Sequence, residues 1–133
     1  MIDRRYIGHA MPPFSVDVEK GRLRFFAKAI GQEEVSDAVP PTFLFCLEME
    51  SPNPAAIRDL LGLDYKRLLH GEQGFTYHAM AYAGDTLTFE QRIEDIYDKK
   101  NGALEFVVRK TRVTNQRNEL VAELRCVTVM RNG

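Results

Sequence analysis

The chain has few of the features that would place it in a specialised class. It carries two cysteines in 133 residues, Cys46 and Cys126, each in an apolar setting. A disulfide framework is thereby excluded, and buried free thiols in a reducing cytoplasm are expected. No run approaches the roughly 18 apolar residues that a membrane helix needs, and the charges of Met1-Ile2-Asp3-Arg4-Arg5-Tyr6 are followed by no apolar stretch of a signal peptide. Net charge is -1, with Lys and Arg spread along the chain. A nucleic-acid surface would need a dense basic face to displace counterions, so that partner is excluded. Internal repeats, low-complexity tracts and linkers are missing too. With 44% hydrophobic and 28% charged residues, one globular domain spanning residues 1–133 is expected, located in the cytoplasm.

What is present is organised around Pro40-Pro41-Thr42-Phe43-Leu44-Phe45-Cys46-Leu47-Glu48-Met49. The prolines interrupt the preceding chain, and Thr42 is placed to cap a helix by accepting from a first-turn amide. The helix that follows is apolar on every side, so it has to be buried inside the protein. Ahead of it, Phe14, Val16 and Val18 alternate with polar residues as a short extended lead-in. Leu23, Phe26, Ala27 and Ile30 then recur at helical spacing, with Gly31 as terminator. Gln32 to Val39 reads as a polar loop, and Asn53-Pro54 as the capped start of a short helix over 55–61 closed by Gly62.

The second half carries strand signals. Phe75 and Tyr77 alternate with polar residues. Leu87, Phe89 and Ile93 share a parity that Ile96 and Tyr97 blur, which predicts a long strand with a bulge. Asn101-Gly102 predicts a hairpin, Leu104, Phe106 and Val108 the inner face of the next strand, and Leu120, Ala122, Leu124 and Cys126 that of the last. The expectation is an α+β domain: an antiparallel meander of about four strands wrapped around the apolar helix. One such sheet leaves a flank of the helix and a sheet edge uncovered, so a dimer is expected.

The segments Arg22-Leu-Arg-Phe-Phe-Ala-Lys-Ala-Ile-Gly31, Pro41-Thr42-Phe43, His70-Gly71-Glu72-Gln73 and Ala83-Gly84-Asp85-Thr86-Leu87 follow one another at characteristic spacings. In this the chain resembles the MaoC-like dehydratases, in particular the branch similar to the N-terminal half of the fatty-acid-synthase-type dehydratase region. The resemblance implies a hot-dog fold and reversible hydration of enoyl thioesters carried on CoA or acyl carrier protein. It also implies that the thioester carbonyl meets the start of the central helix, which makes Thr42 and Phe43 the expected substrate contacts. That chemistry needs a proton acceptor, a proton donor and donors to the thioester oxygen. The family's hydratases carry the first two in a Gly-Asp-x-Asn-Pro-x-His pattern. Laid on Gly31 to Asp37, that pattern has Gln32 at the Asp position and Asp37 at the His position, with Asn and Pro missing.

Other residues offer substitutes for the missing pair. His70 and Glu72, with His78, would share a strand face if no bulge intervenes. A zinc site there lacks a fourth ligand, a catalytic His70–Glu72 pair is open, and a polar edge or subunit contact is the plainer reading. Glu33, Glu34 and Asp37 read as a solvated acidic loop, although Asp37 is also available to activate water in a thioesterase. Arg109, Lys110 and Arg112 suit either CoA phosphates or a solvated face, and His9 carries no signal. No cofactor is called for. The expected role is an acyl-thioester-binding subunit of a hydratase or dehydratase that pairs with a catalytic hot-dog subunit. The alternatives are a stand-alone hydratase or thioesterase and a non-catalytic acyl-CoA-binding homodimer.

Overall fold

The computed structural model describes residues 1–34 and 36–133; the expected polar loop over 32–39 passes through position 35, which lies outside the described residues. Strand β1 (Phe14–Asp17) leads into helix α1 (Lys20–Ala29), then the central helix α2 (Phe43–Glu48) and the short α3 (Ala56–Leu61). Strands β2 (Leu68–Tyr77), β3 (Thr86–Lys99), β4 (Leu104–Thr114) and β5 (Leu120–Arg131) follow. Glycines end two of the helices in the left-handed region that they alone adopt without strain: Gly31 has φ 78° and Gly62 φ 66°.

The sheet has five strands in the order β1-β3-β4-β5-β2, all neighbours antiparallel. The expected four-strand meander is corrected on two counts. The lead-in joins as a fifth strand beside β3, and β2 pairs with β5 at the opposite edge. The segment between β2 and β3 therefore crosses the end of the sheet. On the way Ala81 accepts from the Val39 amide at 2.8 Å and the Ala83 amide donates to Asp37 at 2.7 Å. The crossing thus ties the sheet to the chain entering α2. The bulge expected in β3 lies between Ile93 and Asp95, and β2 carries another between His70 and Glu72.

Helix α2 lies against one face of the sheet with Phe43, Leu44, Leu47 and Glu48 buried. Full burial of each apolar side chain among them contributes about 1.5–3 kcal/mol. Phe45 and Cys46 are only half-buried and Met49 is exposed, so this flank of the helix is uncovered. Two starts differ from expectation. Thr42 makes no side-chain cap; its backbone is already helical, and the Phe43 amide donates instead to the Pro40 carbonyl at 2.9 Å. The Pro-Pro turn closes that end without the hydroxyl. Likewise α3 begins behind Ala55, and Asn53 acts through its backbone carbonyl, which accepts from Ala56.

The inner face of β4 is the reverse of the one expected. Glu105, Val107, Arg109, Thr111 and Val113 face the core, while Phe106 stacks on Tyr97 across the outer face. Polar residues can occupy an inner face where each finds a partner. Glu105 finds the Ile2 amide at 2.8 Å, Arg4 at 3.0 Å and Asn132 at 2.8 Å. These contacts fasten the N-terminal residues over a second apolar cluster, formed by Ile2, Ile93, Ile96, Val107 and Met130 beneath α3.

Candidate functional site

The region the sequence points to lies where α1, the chain before α2 and strand β2 converge. Phe26 of α1 packs on Phe43 with ring centroids 4.9 Å apart, and Arg22 stands over the same ring. Phe43 is thereby a core residue and its amide is engaged with Pro40, whereas Thr42 is exposed. Tyr77 of β2 donates its hydroxyl to the Pro41 carbonyl at 2.5 Å, fixing the turn before the helix. Burial pushes the Tyr77 phenol up to about 12, so it remains a donor throughout the neutral range.

The positions compared with the family's Asp and His have partners outside this turn. Gln32 donates its side-chain amide to the Glu34 carbonyl at 3.1 Å. Asp37 is exposed and ion-paired with Lys20 at 3.2 Å. An amide side chain does not exchange protons near neutral pH, and a solvated carboxylate is a weak base.

His70 and Glu72 do not form a pair. Gly71 is the extra residue of the bulge, so His70 aligns with Thr128 and Glu72 with Val127, on opposite faces of the sheet. His70 turns inward, its Nε2 3.4 Å from the Cys126 sulfur and its ring 5.5 Å from that of Phe45. Glu72 turns outward to Arg125 at 2.8 Å, and His78 bonds Glu123 at 3.1 Å. The shared face required for a zinc site or a catalytic His70–Glu72 pair is therefore not formed. Among the described residues no group of three or more His, Cys, Asp or Glu is arranged to hold a metal ion. Cys46 and Cys126 are free thiols. Burial raises the Cys126 thiol above its ordinary value, against the opposing influence of Arg109, which keeps it protonated and unreactive.

The basic run of β4 is divided by the pleat. Lys110 reaches Glu94 at 3.5 Å and Arg112 is exposed, whereas Arg109 points inward to Glu48 at 2.9 Å. Glu48 also accepts from Gln91 at 3.1 Å and from Thr111. This buried polar cluster beneath the central helix was missed in the sequence, where the one signal was a single acidic residue in an otherwise apolar helix.

A five-stranded antiparallel sheet packed on a buried helix, with an edge strand and one helix flank open, defines the hot-dog fold. Solved structures bear this out. A MaoC-like dehydratase from Phytophthora capsici superposes with a TM-score of 0.80 at 19% identity, covering 98% of this chain and 50% of that one. The HadBC (3R-hydroxyacyl-ACP dehydratase) complex of Mycobacterium tuberculosis gives 0.71 at 22% identity, covering 93% and 96%. The family model for the FAS1-like dehydratase domain region matches residues 5–124, and the chain belongs to that family. A UPF0336 protein from Saccharopolyspora erythraea is 30% identical over 145 residues, covering 98% of this chain and 92% of the relative. Among the described residues no helix is long and apolar enough to cross a membrane.

Proposed function

We propose that this chain is the thioester-binding half of a hydratase or dehydratase acting on enoyl or 3-hydroxyacyl thioesters, and that a second hot-dog subunit supplies the proton-transfer pair. The observation that carries the reading is the loop after α1. Gln32 stands at the family's Asp position, and Asp37, at the His position, is spent on Lys20 at the surface. The separation of His70 from Glu72 across the bulge supports it, since the nearest substitute pair is divided between two faces.

Two features support a partner. Strand β2 is an edge strand with Leu69 half exposed and His70, Gly71 and Glu72 exposed. Beside it lies the open flank of α2, formed by Phe45 and Cys46, which touches β2 through His70. A similar subunit laid along this edge would cover both at once. HadBC, a 3R-hydroxyacyl-ACP dehydratase, is a complex, and assembly with a second subunit suits this chain. Thr42, exposed at the helix start, is the proposed contact for the thioester carbonyl, with Phe43 as the apolar wall behind it. Arg109 and Glu48 lie at the opposite end of α2, beneath its last turn, as a support for the helix.

The test is hydration of crotonyl-CoA and longer enoyl-CoA, followed by loss of enoyl absorbance. The purified chain is assayed alone and with a candidate hot-dog subunit that retains the Asp and His. Turnover only with the partner is expected. Full turnover by the chain alone refutes the reading.

A further inference from the structure

We infer that the outer face of α1 is a nucleotide subsite: Arg24, Phe25 and Lys28 receive the phosphorylated adenosine end of a CoA thioester. This deepens, and rests on, the thioester-binding role proposed above. Helix α1 carries Lys20, Arg22, Arg24 and Lys28 and no acidic residue. Two of these cations are engaged, Lys20 with Asp37 at 3.2 Å and Arg22 with Glu50 at 2.5 Å. Arg24 and Lys28 form no ion pair among the described residues. They stand four residues apart, one helical turn, and so share a face. Between them Phe25 is 78% exposed. A single exposed ring is ordinary on a protein surface, but one flanked by two unpaired cations offers a stacking face with positive charge on either side.

These side chains line a groove of about 780 Å³ together with Gly21, Gln32 and Glu33. Gly21 is part of the lining, and a Cβ there would meet nothing within 4 Å. That volume falls in the range of about 300–1,000 Å³ that suits small-molecule sites. A carrier protein would instead press a face of roughly 800 Å² against the surface. The groove has room for a nucleotide. The chemistry agrees: a purine stacks on an exposed ring, and phosphates pair with the flanking cations, which outnumber the one acid, Glu33. Position agrees as well. Gly31 and Gln32 belong to both the groove and the loop compared with the family's catalytic segment, and from there the extended pantetheine arm would carry the thioester on toward Thr42.

The experiment is isothermal titration of CoA, 3′-dephospho-CoA and pantetheine into the full chain, at low and high salt. The variants are Phe25→Ala and the double substitution Arg24→Gln with Lys28→Gln, each checked by circular dichroism and thermal melting. All three positions lie on the solvent face of α1, so the fold is expected to be unchanged. Phe25→Ala should weaken CoA about tenfold through loss of stacking. The double substitution should weaken it about as much and flatten the salt dependence. Pantetheine binding should not change. The inference is overturned if the wild-type chain binds CoA no better than pantetheine, if either variant stays within about twofold of wild type, or if pantetheine weakens in parallel. The two readings fail separately. Partner-dependent hydration that is indifferent to these substitutions sinks the subsite alone, whereas CoA binding in the groove with no turnover beside any partner sinks the subunit reading alone.

Discussion

Glu48 offers the sharpest test of how the central helix is held. Its side chain is 1% exposed and accepts from Arg109 at 2.9 Å, from Gln91 at 3.1 Å and from Thr111. Glu48→Gln keeps the shape, so no cavity contributes to the outcome. It replaces an acceptor of three donors with a group that has one acceptor oxygen and an amide turned toward donors. At least one buried donor is stranded, which costs about 1–3 kcal/mol. Arg109, 20% exposed, also loses its counter-charge. Breaking a fully buried pair costs about 3–5 kcal/mol, and the partial solvation of Arg109 places this case near the lower end, about 3 kcal/mol. Urea unfolding at one fixed protomer concentration should then show the midpoint falling by about 1.5 M for a slope near 2 kcal/mol/M. The companion variant, Glu48→Leu with Arg109→Met, removes both charges and should recover the charge part of the loss, while the Thr111 hydroxyl and the Gln91 amide are left without their acceptor. A loss below about 1 kcal/mol for Glu48→Gln, or a double variant as unstable as the two single changes summed, would refute the argument.

Three further outcomes follow from particular contacts. Gly71→Ala puts a Cβ 2.8 Å from the Val129 Cγ2 and 3.2 Å from the Val127 carbonyl, so it should cost about 1–3 kcal/mol. Gly74→Ala meets Arg125 atoms no closer than 3.8 Å and serves as the control; equal melting temperatures for the two variants would refute the reading of the bulge. Burial alone would raise the Glu105 carboxyl, but the Ile2 amide, Asn132 and Arg4 outweigh it and hold it below its ordinary 4.5. Its stabilising contribution is therefore present above pH 4.5 and lost as pH falls through the lower folded value. Thermal melts from about pH 7 to about pH 3 should fall more steeply for wild type than for Glu105→Gln. The Tyr77 phenol is raised by burial from 10.0 to about 12, so its contribution is complete below pH 10 and lost as pH rises through about 12. Tyr77→Phe should remove that alkaline loss and cost about 1 kcal/mol at neutral pH; an unchanged alkaline profile would count against the burial of the phenol.

Much of the fold was legible because its signals are local. The apolar stripe Leu23, Phe26 and Ala27, the terminating Gly31 and Gly62, the bulge of β3 and the inner face of β5 each depend on residues a few positions apart, although Ile30, the expected fourth member of the stripe, is exposed at the helix end. What was not legible depends on distant partners. Local alternation cannot report that β2 crosses to pair with β5, because that choice is made by the free edge of β5, distant in sequence. Strand β4 misled for a related reason. Its apolar parity at Leu104, Phe106 and Val108 is the outer one, while Glu105, Arg109 and Thr111 face inward to partners contributed by the N-terminal residues and by α2. Inner positions can be polar when a remote segment brings the matching group.

The candidate site divides along the same line. Gln32 and Asp37 could be read as departures from a catalytic pattern because the pattern is contiguous in sequence. The His70–Glu72 pairing could not be judged, since a single unpaired residue at Gly71 reverses the face of everything beyond it. The structure then shows how α2 is held within this one chain. Tyr77 grips the turn before it at Pro41, and Arg109, Gln91 and Thr111 grip its last turn at Glu48. Both ends are anchored to the sheet, so the start of the helix is in position before any partner arrives. What a partner would add is cover for Phe45, Cys46 and the edge of β2, together with reactive groups that this chain does not bring to the turn. A subunit reading therefore requires the helix geometry to persist in the isolated chain, so the alkaline titration of Tyr77 should be the same with and without the partner.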